Sequence, residues 1–203
     1  MPKSSYQKRR IIALQRLLLE QTDENHYLAM DDILRILEAD GLKADKRTIQ
    51  EDIYVLRDEI GMDIIELVRP RLSYAVVSRD FELQELRLLI DCVQASKFLT
   101  RKKADEMIAK ISGLCSKDEA RQLLGLVNKS QVKSANEAVF LNIDTIQSAI
   151  NDKKAISFFY REYHPTKELK ARPDDKMYHA YPYAIEYKED RYYLIAHDIS
   201  AFP

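Results

Sequence analysis

The segment from Met30 to Gly61, MDDILRILEADGLKADKRTIQEDIYVLRDEIG, leaves the chain few ways to fold. It holds two apolar stripes at helical spacing with a tight turn between them. Ile33, Leu34 and Leu37 face inward from the first stripe, and Gly41 stands where a left-handed residue ends a helix. Four residues later Asp45 is placed to cap a second helix. The buried stripe of that helix is Ile49, Ile53, Leu56 and Ile60, at intervals of four, three and four. A short helix, a glycine turn and a capped helix make a helix-turn-helix pattern.

The flanking sequence completes this unit. Ile11, Leu14, Leu17 and Leu18 mark an earlier amphipathic helix, and MDIIELVRPRLSYAVVSRD gives two β-rich runs around Arg69-Pro70-Arg71. Three helices and a hairpin wing predict a winged helix-turn-helix domain over residues 1–79. Residues 80–138 read as helical throughout, with Leu83, Leu86, Ile90 and Val93, then Met107, Ile108 and Ile111, at helical spacing. Ser116 and Glu119 form a capping box for a further helix. This region is either an ordinary connector or a dimer-forming layer, and Arg101-Lys102-Lys103 within it reads as a solvated turn. The polar stretch 128–138 is the candidate linker.

Residues 139–203 change character. A helix capped by Asn142 or Asp144 leads into a strand with Ile156, Phe158 and Tyr160 on one side and Ser157, Phe159 and Arg161 on the other. After a polar loop containing Pro165 and Pro173 comes a hairpin. Tyr183, Ile185 and Tyr187 precede a turn at Lys188–Arg191; Tyr192, Leu194 and Ala196 then alternate with Tyr193, Ile195 and His197. Six of the chain's 12 tyrosines lie between 178 and 198. The fold class is α+β.

The net charge of −1, from 32 Lys and Arg against 33 Asp and Glu, means that nucleic-acid binding requires a local patch. The second helix of the pair supplies one. At about 100° per residue, Arg47, Gln50, Tyr54 and Arg57 share the arc opposite the apolar stripe, with Lys46 beside it. Arg and Gln are the side chains that read guanine and adenine edges, while Lys, Tyr and Thr48 suit phosphates. Glu51 and Asp58 border the arc. Arg69 and Arg71 on the wing, and Lys8, Arg9 and Arg10 on the first helix, are further phosphate contacts. The competing reading is a protein-interaction adaptor, but its docking helix would carry an apolar outer patch.

The tyrosines admit two readings. They cover a thin β-core with their hydroxyls wet, or some of them line a pocket for an anionic or nucleotide-like ligand. The pocket residues would be Tyr160, Arg161, Tyr183, Arg191, Tyr193 and His197. No enzyme, metal or cofactor is expected. The four histidines are scattered, only 4 glycines are present, and no phosphate loop or nucleophile elbow occurs. Cys92 and Cys115 lack metal-ligand spacing and read as reduced thiols. No apolar run reaches membrane-spanning length, and Gln15, Arg16 and Glu20 break the first apolar stretch, so neither a membrane span nor a signal peptide is expected. The expected location is the cytoplasm.

Two segments carry a family resemblance. KADKRTIQEDIYVLRDEIG resembles the recognition-helix segment of DeoR-type winged helix-turn-helix regulators, through Arg47-Thr48-Ile49, Asp52-Ile53 and Leu56. YPYAIEYKEDRYYLIAHD resembles the core of the WYL domain, a small SH3/Sm-like β-barrel, with Tyr192-Tyr193-Leu194 in place of the Trp-Tyr-Leu triplet. Together they imply a bacterial, homodimeric transcription regulator that binds double-stranded DNA under the control of a nucleotide or nucleic-acid effector. Members of that family continue past this hairpin with strands carrying an Arg-containing motif. This chain ends at Ser-Ala-Phe-Pro, so the expectation is a partial WYL domain, with truncation favoured over a partner that supplies the missing edge or a domain that is itself incomplete.

Overall fold

Helix α1 (Lys3–Gln21) turns Leu14, Leu17 and Leu18 into the core. Against it pack α2 (Met30–Ala39), with Met30, Ile33 and Leu37 buried, and a sheet strand described below. The computed structural model describes residues 3–125, 127, 138–163, 169–171 and 176–200. The polar stretch 128–137 and the loop prolines Pro165 and Pro173 lie outside the described residues. The chain divides into two compact units, Met1–Gln94 with Asp105–Ser130, and Ala95–Ala104 with Gln131–Pro203. Its fold is mixed, with helices and antiparallel sheets.

In the first unit, α2 ends as its sequence predicts. Gly41 adopts φ +73°. Its amide donates to the Glu38 carbonyl and the Leu42 amide to the Leu37 carbonyl, the paired bonds of a Schellman termination. The next helix, α3 (Lys46–Tyr54), buries Ile49 and Ile53, and Asp45 caps it by accepting from the Thr48 amide at 2.7 Å.

The end of α3 departs from expectation. Val55–Glu59 forms a π-helical turn in which the Ile60 amide donates to the Val55 carbonyl at 3.0 Å. The extra residue in that turn shifts the helical phase, so Ile60 rotates out of the inner stripe and is 55 % exposed. The expected burial of Ile60 is therefore corrected, although Leu56 remains fully buried.

Strands β2 (Ile64–Leu67) and β3 (Ser73–Val76) form the expected hairpin, with Arg69, Pro70 and Arg71 exposed in its loop. The two-residue strand β1 (Leu28–Ala29), unmarked in the sequence, pairs with the other side of β3 and makes it the central strand. All four β3 residues are consequently buried. Helices α4 (Leu83–Ala95), α5 (Arg101–Ser112) and α6 (Lys117–Gly125) follow. Arg101–Lys103 is the first turn of α5 and not a solvated turn; Thr100 caps it by accepting from the Lys103 amide. The Ser116–Glu119 capping box forms in both directions, at 2.9 and 3.1 Å.

In the second unit, α7 (Ala138–Asn151) begins earlier than expected, so Asn142 and Asp144 lie within it and cap nothing. The cause is local: Ala138-Val139-Phe140-Leu141 contains no helix breaker. Strand β4 (Ile156–Phe159) pairs with β7 (Met177–Lys188), and β7 with β8 (Arg191–Asp198). Between β4 and β7, a short ladder joins β5 (Arg161–Tyr163) to β6 (Leu169–Ala171). Glu189 and Asp190 close the β7–β8 turn at φ +50° and +64°, the double positive φ of a tight two-residue hairpin turn. Helix α7 packs on β7. Strands β4 and β8 are the edges of their sheet, and no closed barrel is seen among the described residues.

Candidate functional site

The outer face of α3 depends on how its inner face is fixed. Arg10 of α1 and Asp52 of α3 are both buried, and the guanidinium meets the carboxylate through Nε at 2.5 Å and a second nitrogen at 3.0 Å. Two parallel bonds set the rotation of α3 against α1 more tightly than the non-directional packing of Ile49 and Ile53. The hydrogen bond from Asp52 also holds the Arg10 guanidinium above its usual pKa, against the effect of burial. Arg10 is thus a scaffold residue, correcting its reading as a phosphate contact; Lys8 and Arg9 remain exposed.

With α3 held this way, Arg47, Gln50, Glu51, Tyr54 and Val55 line one shallow outer surface. Arg47 is paired with Glu51 at 3.1 Å and is highly exposed. Tyr54 is 55 % exposed. Gln50 hydrogen-bonds the buried Tyr74 hydroxyl, linking the arc to the hairpin beneath it. Burial raises the Tyr74 pKa, with Glu66 adding to the effect and Gln50 and Arg57 opposing it. Arg57 belongs to the π turn, where it pairs with Asp58 at 3.1 Å. Lys46 reaches Asp31 of α2 at 2.8 Å, and Arg71 lies close enough to help hold the Asp31 carboxyl below its usual range.

Lys46 at the start of α3 and Arg71 in the hairpin loop therefore flank one carboxylate. Thr48 is committed locally, because its amide and hydroxyl both bond to Asp45 and lower that carboxyl's pKa. Arg69 has no partner among the described residues. In the free protein Lys46, Arg47 and Arg57 face acids in solvent-exposed pairs. Such pairs are weak and screened, so a polyanion can displace the acids.

The six residues proposed for a ligand site separate. Register places Arg191, Tyr193 and His197 on one face of β8, opposite Lys188, Glu186 and Tyr181 of β7. That face continues to His179, which hydrogen-bonds Ser157 at 2.8 Å. Tyr160 lies elsewhere. It meets Tyr178 edge-on, and Tyr178 stacks with Phe158 on the opposite face. Tyr183 is 63 % exposed at the register shift between Pro182 and Ala184, and Arg161 starts the separate β5 ladder. The shift places Ile185 and Tyr187 on the face of Leu194 and Tyr192.

One aromatic partner was not legible in the sequence. Phe98, between α4 and α5, meets Tyr192 edge-on at 5.1 Å and Tyr187 at 5.8 Å, while Tyr187 donates to Asp190 at 2.9 Å. Its only sequence signal is that it follows the polar pair Ser96-Lys97 beside a second apolar residue, Leu99. Phe98→Ala is expected to destabilise the second unit by about 1–3 kcal/mol through loss of two edge-to-face contacts. Thermal melting followed by tyrosine near-UV circular dichroism tests this, since the chain has no tryptophan. An unchanged midpoint would remove Phe98 from the sheet's support.

Among the described residues no cluster of three His, Cys, Asp or Glu side chains is placed to hold a metal ion. None of the described helices is long and apolar enough to cross a membrane. Residues 142–201, covering most of α7 and the tyrosine-rich sheet, are similar to the WYL domain family. No curated protein matches the chain.

Proposed function

We propose that this protein is a cytoplasmic, non-enzymatic transcription regulator. In this reading its first unit is a DeoR-type winged helix-turn-helix that binds double-stranded DNA, and its WYL region is an SH3/Sm-like sensor of a nucleotide or nucleic-acid effector. WYL domains occur in ligand-sensing transcriptional regulators. The observation that carries the DNA reading is the exposed surface of Arg47, Gln50 and Tyr54 on a helix whose back is pinned by a buried ion pair. In the major groove, Arg47 would exchange Glu51 for a guanine edge, and Gln50 and Tyr54 would follow along the same strand. Lys46, Arg57, Arg69 and Arg71 would meet phosphates on either side, with Thr48 at the helix start. A homodimer would present two such helices to a two-fold site.

For the sensor, the face of Arg191, Tyr193 and His197 supports anion recognition best, since it joins cationic, stacking and hydrogen-bonding groups on adjacent register positions.

The test is a salt-dependent DNA titration of wild type and Arg47→Ala, using the promoter upstream of the protein's own gene and a scrambled duplex. The variant is expected to lose about 1–3 kcal/mol on the promoter and little on the scramble. Weak, equal binding to both duplexes, unaltered by the substitution, would overturn the reading and favour a protein-docking adaptor.

A further inference from the structure

We propose that a cleft of about 510 Å³ in the first unit binds a small cationic amphiphile, an ammonium group on an aromatic or alkyl body. The cleft opens between the end of α1, the π turn after α3, the strand exit at Val76–Phe81 and the turn joining α5 to α6. Its existence follows from the π turn, which swings Ile60 out of the core and into the cleft wall. Leu19, Phe81 and Leu114 join Ile60 there, each at least 36 % exposed. Scattered exposed apolar residues need no explanation, but four converging on one concave surface of ligand-pocket size do.

The charges at the rim select the ligand. Glu20 is already paired with Lys117 at 3.0 Å. The Arg79 guanidinium is turned into the wall, donating to the Thr22 carbonyl at 2.5 Å and the Leu19 carbonyl at 3.0 Å, with Glu119 at 3.9 Å. What remains is Asp63 and Asp80, which have no partner among the described residues. Two uncompensated carboxylates beside an apolar wall repel anions and reward a cation whose body fills the wall. Because the Ile60 amide closes the π turn on Val55, an occupant held by Ile60 also steadies the π turn that follows α3.

The buried thiol of Cys115 lines the cleft and reports occupancy. Burial pushes its pKa up, so it reacts slowly and is best followed at about pH 8.5. With Cys92→Ser it becomes the only cysteine. Phenethylammonium at ten times its dissociation constant is expected to slow alkylation of Cys115 by iodoacetamide about tenfold. The neutral isostere 2-phenylethanol should protect less, and the Asp63→Asn/Asp80→Asn variant should remove the difference between the two. Calorimetric titration of the same probes gives a second measure of binding that does not depend on thiol reactivity. Absence of binding by phenethylammonium, or equal affinity for the amine and the alcohol in the unsubstituted chain, would overturn the proposal. Neither readout involves DNA, so the outcome is separate from that of the recognition helix.

Discussion

Replacing Asp52 with alanine is expected to destabilise the first unit by about 3–5 kcal/mol, the range for stripping one partner from a buried ion pair. The size of the effect comes from what is left behind. Arg10, 8 % exposed, sits among the packed faces of α1 and α3 with both of its bonds to Asp52 gone. It must then either remain as an uncompensated charge or drag the start of α1 toward water. The pair as a whole is a different matter. Arg10→Met with Asp52→Leu removes both charges, and its cost should fall well below that of Asp52→Ala alone. Urea unfolding of the two single variants and the double variant measures this directly. An unfolding free energy for Asp52→Ala within about 1 kcal/mol of wild type would show that the pair does not hold α3. DNA titration of the double variant then separates stability from orientation, because an apolar pair restores packing without restoring the two directed bonds.

The second large effect is expected at Asp23, in the turn after α1. Its buried carboxylate accepts from the Ser116 hydroxyl at 2.5 Å, the Asn25 amide at 2.9 Å and the His26 ring at 2.7 Å. Ser116 is also the cap of α6, so this one carboxylate ties the start of that helix to the end of α1. Asp23→Ala is expected to cost about 2–4 kcal/mol, since it leaves buried donors without an acceptor.

The cost should also depend on pH. Burial works to raise the Asp23 pKa, but bonds from Ser116, Asn25 and His26 outweigh it and hold the carboxyl below its usual range. That contribution is present above about pH 4 and is lost as pH falls through the lowered value. His26 moves the other way. The hydrogen bond to Asp23 raises its pKa against desolvation, with the charges of Asp23, Asp118 and Glu119 adding to the rise. Its contribution is complete below about pH 6.5 and disappears as pH climbs through the raised value. The gap between wild type and Asp23→Ala should therefore be widest in mildly acidic solution and narrow toward either side. Thermal midpoints measured across that span test the assignment; a gap that stays constant from mildly acidic to alkaline pH would detach His26 from it.

Much of the candidate interface was legible because its signals are local. Asp45 caps the helix by accepting from the amide three residues ahead, Gly41 supplies the φ its turn demands, and the capping box of Ser116 and Glu119 closes over three residues. The hairpin turn at Glu189-Asp190 and the exposed arc of Arg47, Gln50 and Tyr54 follow from equally short spacings. Periodicity misled only where its assumption failed. A stripe of constant period could not place Ile60, because a π turn alters the residues per turn.

The sequence by itself determined most of the helices, the two hairpins and which residues α3 presents outward, since these depend on neighbours within one or two turns. Tertiary structure alone decided the rest. Arg10 meets Asp52 across 42 residues and Ser116 meets Asp23 across 93, so charges that look like free surface cations and acids become internal bonds. The register shift near Tyr183 divides the tyrosines between two faces, and Phe98 finds Tyr187 and Tyr192 only once the hairpin is folded. The physical reason is the same in each case: a side chain's partner in a folded protein is set by packing in space, and nothing in its neighbours along the chain carries that distance.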